Sequence, residues 1–201
     1  MNARDEILSS IRMRQVGKMA RPSQYRAASV VVSLDQRFAE RATAEAAEVR
    51  FLDRMEDVPA AASDILRARN LAATVHLPFS AWMNSLPWNT GLVLDHTPPG
   101  PNDAALAVAP FAVAETGTLV YASAPNAPPS WHFRPGLEIA VISARNILPR
   151  LEDVVMRLRK DGAIASTVNL VTGPSRTGDI EQTLELGAHG PKALSILIVK
   201  E

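Results

Sequence analysis

The stretch ALAVAPFAVAETGTLVYA, residues 105–122, holds two strand-like runs, 105–113 and 118–122, parted only by Ala114, Glu115, Thr116 and Gly117. So short a gap suits an antiparallel hairpin or a tight bend, with Gly117 supplying a backbone angle that other residues resist. On either side the chain alternates between stretches that suit helices and short apolar or β-branched runs, the pattern of a layered domain. A hairpin set among such units predicts an α/β fold, a layered mixed sheet with helices on both faces.

Outward toward the amino end, residues 91–94 read as a further buried strand, 72–77 as a strand, and 58–69 as a helix opened by Pro59 near its first turn. Residues 48–52 alternate like a strand, and the alanine-rich 38–47 continue a helix that Ser33 is placed to cap. Before that, Ile7, Leu8 and Ile11 recur at helical spacing behind Asp5 and Glu6, which favour a helix start. Residues 15–26, with Gly17, Lys18, Arg21, Pro22 and Arg26, read as a basic connector. Toward the carboxyl end, the proline-rich 123–136 reads as a surface loop long enough to cover a site. Then come a strand at 137–143, a helix at 146–160, a strand at 167–172 and a closing strand at 193–199. The division that results is an amino-terminal helix and connector, 1–26, and one α/β domain, 27–201.

Lys plus Arg and Asp plus Glu both total 21, so the chain lacks an overall field for gathering nucleic acid or anionic membrane. It has no cysteine, which excludes disulfides, a thiolate nucleophile and thiolate ligands for an iron–sulfur cluster on this chain. The nearly unbroken apolar run at 104–114 contains Pro110 and is shorter than the roughly 20 residues of a spanning helix, so no membrane span is expected. The charged opening MNARDEILSS does not look like a secretory signal, and a cytoplasmic location is the expectation. His76, His96, His132 and His189 are scattered without ligand spacing, so no metal site is expected.

Chemistry concentrates in two places. Residues 172–181, TGPSRTGDIE, follow an apolar strand and precede what reads as a short helix ending near Gly187. Strand, glycine-bounded loop and helix is a layout that aims backbone N–H groups and a helix dipole at an anion, and Ser175, Arg176 and Thr177 add donors. The spacing of Gly173 and Gly178 copies the start of a nucleotide-binding P-loop. Asp179 and Ile180, however, stand where its lysine and hydroxyl residue belong. The plainer reading is a turn in which Asp179 caps a helix with Gln182 three residues on, and Arg176 pairs with Asp179 or Glu181. The second place is Glu115, at the bend between apolar strands, as a base, a nucleophile or simply an acceptor for turn N–H groups. His189, between Gly187 and Gly190, reads as a proton carrier, an anion contact or a turn residue.

Three segments in order, AETGTLV at 114–120, GPSRTGDIEQT at 173–183 and GAHGP at 187–191, resemble the signature segments of the lactate-utilisation protein C family, the LUD domain. The opening ARDEILSSIR, residues 3–12, is similar to the family's amino-terminal helix. The resemblance implies a fold related to the ribose-phosphate isomerase and CoA-transferase group. It also implies a cluster-free subunit acting beside iron–sulfur partner proteins in oxidising L-lactate to pyruvate, with clusters on the partners and no cofactor bound by this chain. A small carboxylate or phosphate pocket would then draw on Glu115, Thr116, Gly117, Gly173, Ser175, Arg176, Thr177, Asp179, Glu181 and His189. The alternative is a stand-alone isomerase or CoA/acyl-transfer enzyme with Glu115 as the working carboxylate. The chain departs from the family at Pro110, where an aspartate is common, and at Glu138, where a histidine is common.

Overall fold

The computed structural model describes residues 2–13, 33–88, 91–124, 128–160, 165–178, 184–186 and 190–201. The expected connector at 15–26 lies outside them. In chain order the first elements are α1 (Ala3–Met13), α2 (Leu34–Ala44), β1 (Glu48–Leu52), α3 (Val58–Ala68), β2 (Thr74–His76), α4 (Ala81–Asn84) and β3 (Val93–Asp95). The middle holds β4 (Ala104–Val108), β5 (Phe111–Val113), β6 (Thr118–Ala122), α5 (Ser130–Phe133), β7 (Leu137–Ser143) and β8 (Ile147–Leu148). After these come α6 (Leu151–Lys160), β9 (Val168–Val171), β10 (Arg176–Gly178), β11 (Leu184–Leu186) and β12 (Ala193–Val199).

The most continuously apolar strands, β7 and β12, lie at the centre of a six-stranded sheet ordered β1-β12-β7-β4-β2-β3. Every pairing in it is parallel, which requires both faces to be covered. Alternation along β7 divides the core. Leu137, Ile139 and Val141 face α3, whose Val58, Ala61, Ala62, Ile65 and Leu66 make one helical stripe. Ala140 and Ile142 face the other way, toward Phe38 and Ala42 of α2.

The same α2-side core takes in a second sheet of four strands, β8-β5-β6-β9. Here β5 and β6 are antiparallel, β6 and β9 antiparallel, and β5 and β8 parallel. Its far face packs Val113 and Val120 against Val154 of α6. The expected hairpin forms between β5 and β6, and Gly117 takes φ +69° as its bend requires. The run 105–113, expected as one strand, is two. Ala109 N–H donates to Val141 O at 2.8 Å as the last rung of the parallel sheet. Pro110, with no N–H to give, then lets the chain cross into the second sheet.

Four further expectations are corrected. The helix expected at 146–160 starts only at Leu151, because Ile147 and Leu148 pair with Ala112 and Val113. The strand near residue 93 is an edge rather than a buried strand, with Val93 60% exposed. The loop at 123–136 is not all surface: α5 plugs the core with Trp131 and His132, both buried. Finally, Leu184–Leu186 is not helical but pairs antiparallel with Arg176–Gly178 as a two-stranded arm. Among the described residues, no helix is long and apolar enough to cross a membrane.

Candidate functional site

The register of β6 against β9 sets Leu119 opposite Val171, and so carries the first two signature segments toward one another near Thr118 and Thr172. A chain of hydroxyls joins them: Thr116 Oγ1 to Thr118 Oγ1 at 2.7 Å, then Thr118 Oγ1 to Thr172 Oγ1 at 2.8 Å. Both motif glycines press on the carboxyl end of α2. A Cβ on Gly117 would stand 2.5 Å from Ala42 N, and one on Gly173, at φ +74°, 2.3 Å from the Glu45 carbonyl oxygen. Their bareness is therefore a packing requirement of α2. It brings Glu45, the residue that caps α2, to the loop.

Beyond Gly173 the loop is tied to the turn that precedes β12. Ser175 N–H donates to Pro191 O at 2.9 Å, and a Cβ on Gly190 would meet Ser175 Cβ at 3.1 Å. Between these segments lies a cavity of about 330 Å³, walled by Thr172, Gly173, Ser175, Arg176, Pro191 and Phe133 among others. Phe133 and Pro191 each stand shortly before a central parallel strand, so this side of the cavity sits at the amino ends of β7 and β12. Arg176 is exposed at its rim, and Glu45, packed against the loop at Gly173, also lines it. The result is a polar recess offering hydroxyl donors and one guanidinium, dimensions suited to a small anion.

In the core, three ionisable side chains are buried together, and His132 among them directly precedes the cavity residue Phe133 in α5. His132 Nδ1 lies 2.9 Å from Glu138 Oε1, and the His132 ring stacks on Tyr121 with centroids 3.6 Å apart. Glu138 is 0% exposed and the other two 3%. The Tyr121 hydroxyl and Glu138 Oε2 are both buried with no hydrogen-bond partner. Burial first, and then the negative charge of Glu138 and the phenol's side-chain interaction with that carboxylate, push the Tyr121 phenol well above its usual pKa of 10.0.

Away from this region, His76 Nδ1 bonds Thr97 O at 2.9 Å and its Nε2 lies 3.5 Å from Asp103. Asp95 is held below the usual carboxylate range by bonds from the Thr97 hydroxyl and backbone N–H. Among the described residues no group of three or more His, Asp or Glu could hold a metal ion.

Comparison with known families decides the kinship. Residues 101–199 match the LUD domain, a stretch that contains all three signature segments and the cavity's loop and turn. Over these residues the chain belongs to the LUD-domain family. The LUD segment is 31% identical over 100 residues to Lactate utilization protein C of Geobacillus kaustophilus, covering 48% of this chain and 42% of that protein. It is 32% identical over 93 residues to the protein of the same name from Bacillus subtilis, covering 44% and 39%. The chain thus spans less than half the length of these curated relatives. Its fold is similar to the crystal structure, at 1.70 Å, of a DUF162 family protein from Deinococcus radiodurans, with TM-score 0.60 and 18% identity over 83% of this chain and 96% of that one.

Within the LUD domain the expected site residues divide. Gly173, Ser175 and Arg176 line the cavity. Thr116 joins it through the hydroxyl chain, and Gly117 by docking α2. Glu115 is exposed, outside the cavity's lining, with its backbone N–H donating to Pro149 O at 3.2 Å. Thr177 pairs with Glu185 through the backbone of the β10–β11 arm. Asp179, Glu181 and His189 lie outside the described residues. Of the stretch expected as a short helix after the loop, the described residues 184–186 are strand. Sequence reasoning missed Glu45 and Tyr121, whereas Phe133 and His132 belong to the 123–136 loop expected to cover a site. One signal was in view: Glu138, an acid inside the apolar strand LEIAVIS.

Proposed function

We propose that this LUD-domain protein is the cluster-free, ligand-binding component of a cytoplasmic system that oxidises L-lactate to pyruvate. Its iron–sulfur partner proteins carry the clusters, and the cavity takes a small carboxylate or phosphate. The observation that carries the reading is the joining of the two signature ends, Ser175 N–H to Pro191 O, around a recess with Arg176 at its rim. Relatives named Lactate utilization protein C point to the pathway. A chain without cysteine leaves thiolate-held clusters to partners. Kinship of fold to the ribose-phosphate isomerase and CoA-transferase group belongs to the same reading, supported by the parallel sheet with helices on both faces. The stand-alone acyl-transfer reading lacks comparable support, since Glu115 does not line the cavity.

The test is an anaerobic pull-down of the tagged protein from its own host grown on L-lactate. Iron–sulfur absorbance and stoichiometric partners in the eluate are expected, and a colourless eluate holding this chain alone would refute the partnership. Titration calorimetry with L-lactate and inorganic phosphate tests the cavity. Arg176→Ala is expected to weaken binding about tenfold, the scale of one charge-assisted hydrogen bond.

A further inference from the structure

The apolar stripe of α1 is open to solvent. Ile7, Leu8 and Ile11 fall on one face of the helix and are all exposed, and no residue of α1 is buried. A helix of 11 residues is marginal in water by itself, and what holds most such helices is the packing of an apolar stripe.

The second sheet has an open apolar lane. Along β6 and β9, Leu119, Tyr121 and Val171 face the α2-side core, so Val120, Leu170 and Val168 face the other way. On that far face α6 packs over β5 and β8. Val120 is fully buried there, but at β9 Leu170 is 46% and Val168 45% exposed. The strands β8 and β9 run parallel in one sheet, and a crossover between such strands is right-handed in nearly all folds. With that hand, the flank of α6 that carries Leu151 and Val155 turns toward β9, and both residues are exposed as well. The lane is thus floored by β9 and walled by α6.

Charge gives the direction. α1 is acidic in its first turn, with Asp5 and Glu6, and basic in its last, with Arg12. α6 repeats the order, with Glu152 and Asp153 first and Arg157, Arg159 and Lys160 last. Two helices that share this pattern attract when antiparallel and repel when parallel. Length permits the seat: residues 14–33 can span at most about 70 Å, and a folded chain of this size is about 40 Å across. The tether also raises the local concentration of α1 at its own domain above that of α1 from a second copy.

We propose that α1 seats Ile7, Leu8 and Ile11 in the lane between α6 and β9 of its own chain, antiparallel to α6. Leu170 also lines the cavity, so the seated helix forms part of the cavity's border.

The test uses the full chain, whose lack of cysteine lets two be introduced without background. Spin labels are attached at Ser10→Cys on α1 and Met156→Cys on α6, and their separation is measured by electron–electron double resonance without any ligand. A seated helix gives one narrow population below about 25 Å, because packed helix axes lie about 8–10 Å apart and the labels add the rest. Ile11→Asp and, separately, Leu170→Asp should each broaden the distribution toward the limit of the tether. Ile11 lies outside the α/β domain, so its variant reads the seat even where Leu170→Asp disturbs the sheet. Asp5→Lys with Glu6→Lys should broaden it as well, and adding Arg159→Glu with Lys160→Glu should restore the narrow population. A broad distribution in the labelled parent, or a narrow one that both Asp variants leave intact, overturns the seat. Failure of the charge swap to restore it overturns the antiparallel direction. A short distance in a mixture of the two singly labelled chains overturns the same-chain assignment and shows exchange between copies.

Discussion

Replacing Gly173 by alanine separates the two things a motif glycine can do, namely adopt a left-handed backbone and make room for a neighbour. At φ +74° the left-handed conformation alone costs an alanine about 1–2 kcal/mol. The added Cβ would also stand 2.3 Å from the Glu45 carbonyl oxygen and 3.0 Å from Glu45 Cβ, and backbone cannot swing away as a flexible side chain does. Overpacking of this kind adds about 1–3 kcal/mol, so a total loss of about 2–5 kcal/mol is expected. Gly91 provides the internal reference: it has φ +77° and nothing within 4 Å of a Cβ, so Gly91→Ala should show the strain alone. Urea denaturation of the wild type and both variants measures the losses, and amide exchange over α2 shows whether its carboxyl end has been pushed away. If Gly173→Ala and Gly91→Ala cost the same within about 0.5 kcal/mol, with α2 protection unchanged, then Gly173 does not dock the helix and its place in the motif needs another cause.

His132→Ala should destabilise the protein by about 3–5 kcal/mol in urea titration, because it empties a buried aromatic site and leaves Glu138 Oε1 without its hydrogen bond; a loss below about 1 kcal/mol would mean that this pair does not support the core. Trp131→Ala should cost about 3–5 kcal/mol as a core truncation, whereas a surface-loop tryptophan would change stability by only about 0.5 kcal/mol. On the alkaline side, the folded pKa of Tyr121 lies above its unfolded value of 10.0, so its contribution is intact below pH 10 and is lost as pH rises beyond it. Stability should fall there by about 1.4 kcal/mol per pH unit from this group, and comparison of wild type with Tyr121→Phe in alkaline denaturation isolates it; identical slopes would refute the assignment.

Local pattern was enough for most of the elements. α3 is legible because its apolar residues recur at helical spacing behind Pro59, and β7 and β12 because strands covered on both faces must be apolar almost throughout. The β5–β6 hairpin and the positive φ of Gly117 follow from four residues of sequence. Where expectation and structure part, a distant partner is responsible. Ile147 and Leu148 have a helix-compatible pattern, yet they find an open strand edge at Ala112 and Val113. The 184–186 stretch finds Arg176–Gly178 in the same way.

The candidate site shows the same division. By itself the sequence determined that an α/β chain without cysteine carries two glycine-bearing segments with hydroxyls and an arginine, since composition and short-range spacing are properties of the string. Only the tertiary structure decided that Gly117 and Gly173 serve the docking of α2, and that Ser175 closes on Pro191 to shape a cavity. Nor could the string show that Tyr121, His132 and Glu138 share one buried pocket. Those three come from β6, α5 and β7, and what joins them is the packing of the second sheet on the face of the first, a long-range contact that no local period encodes.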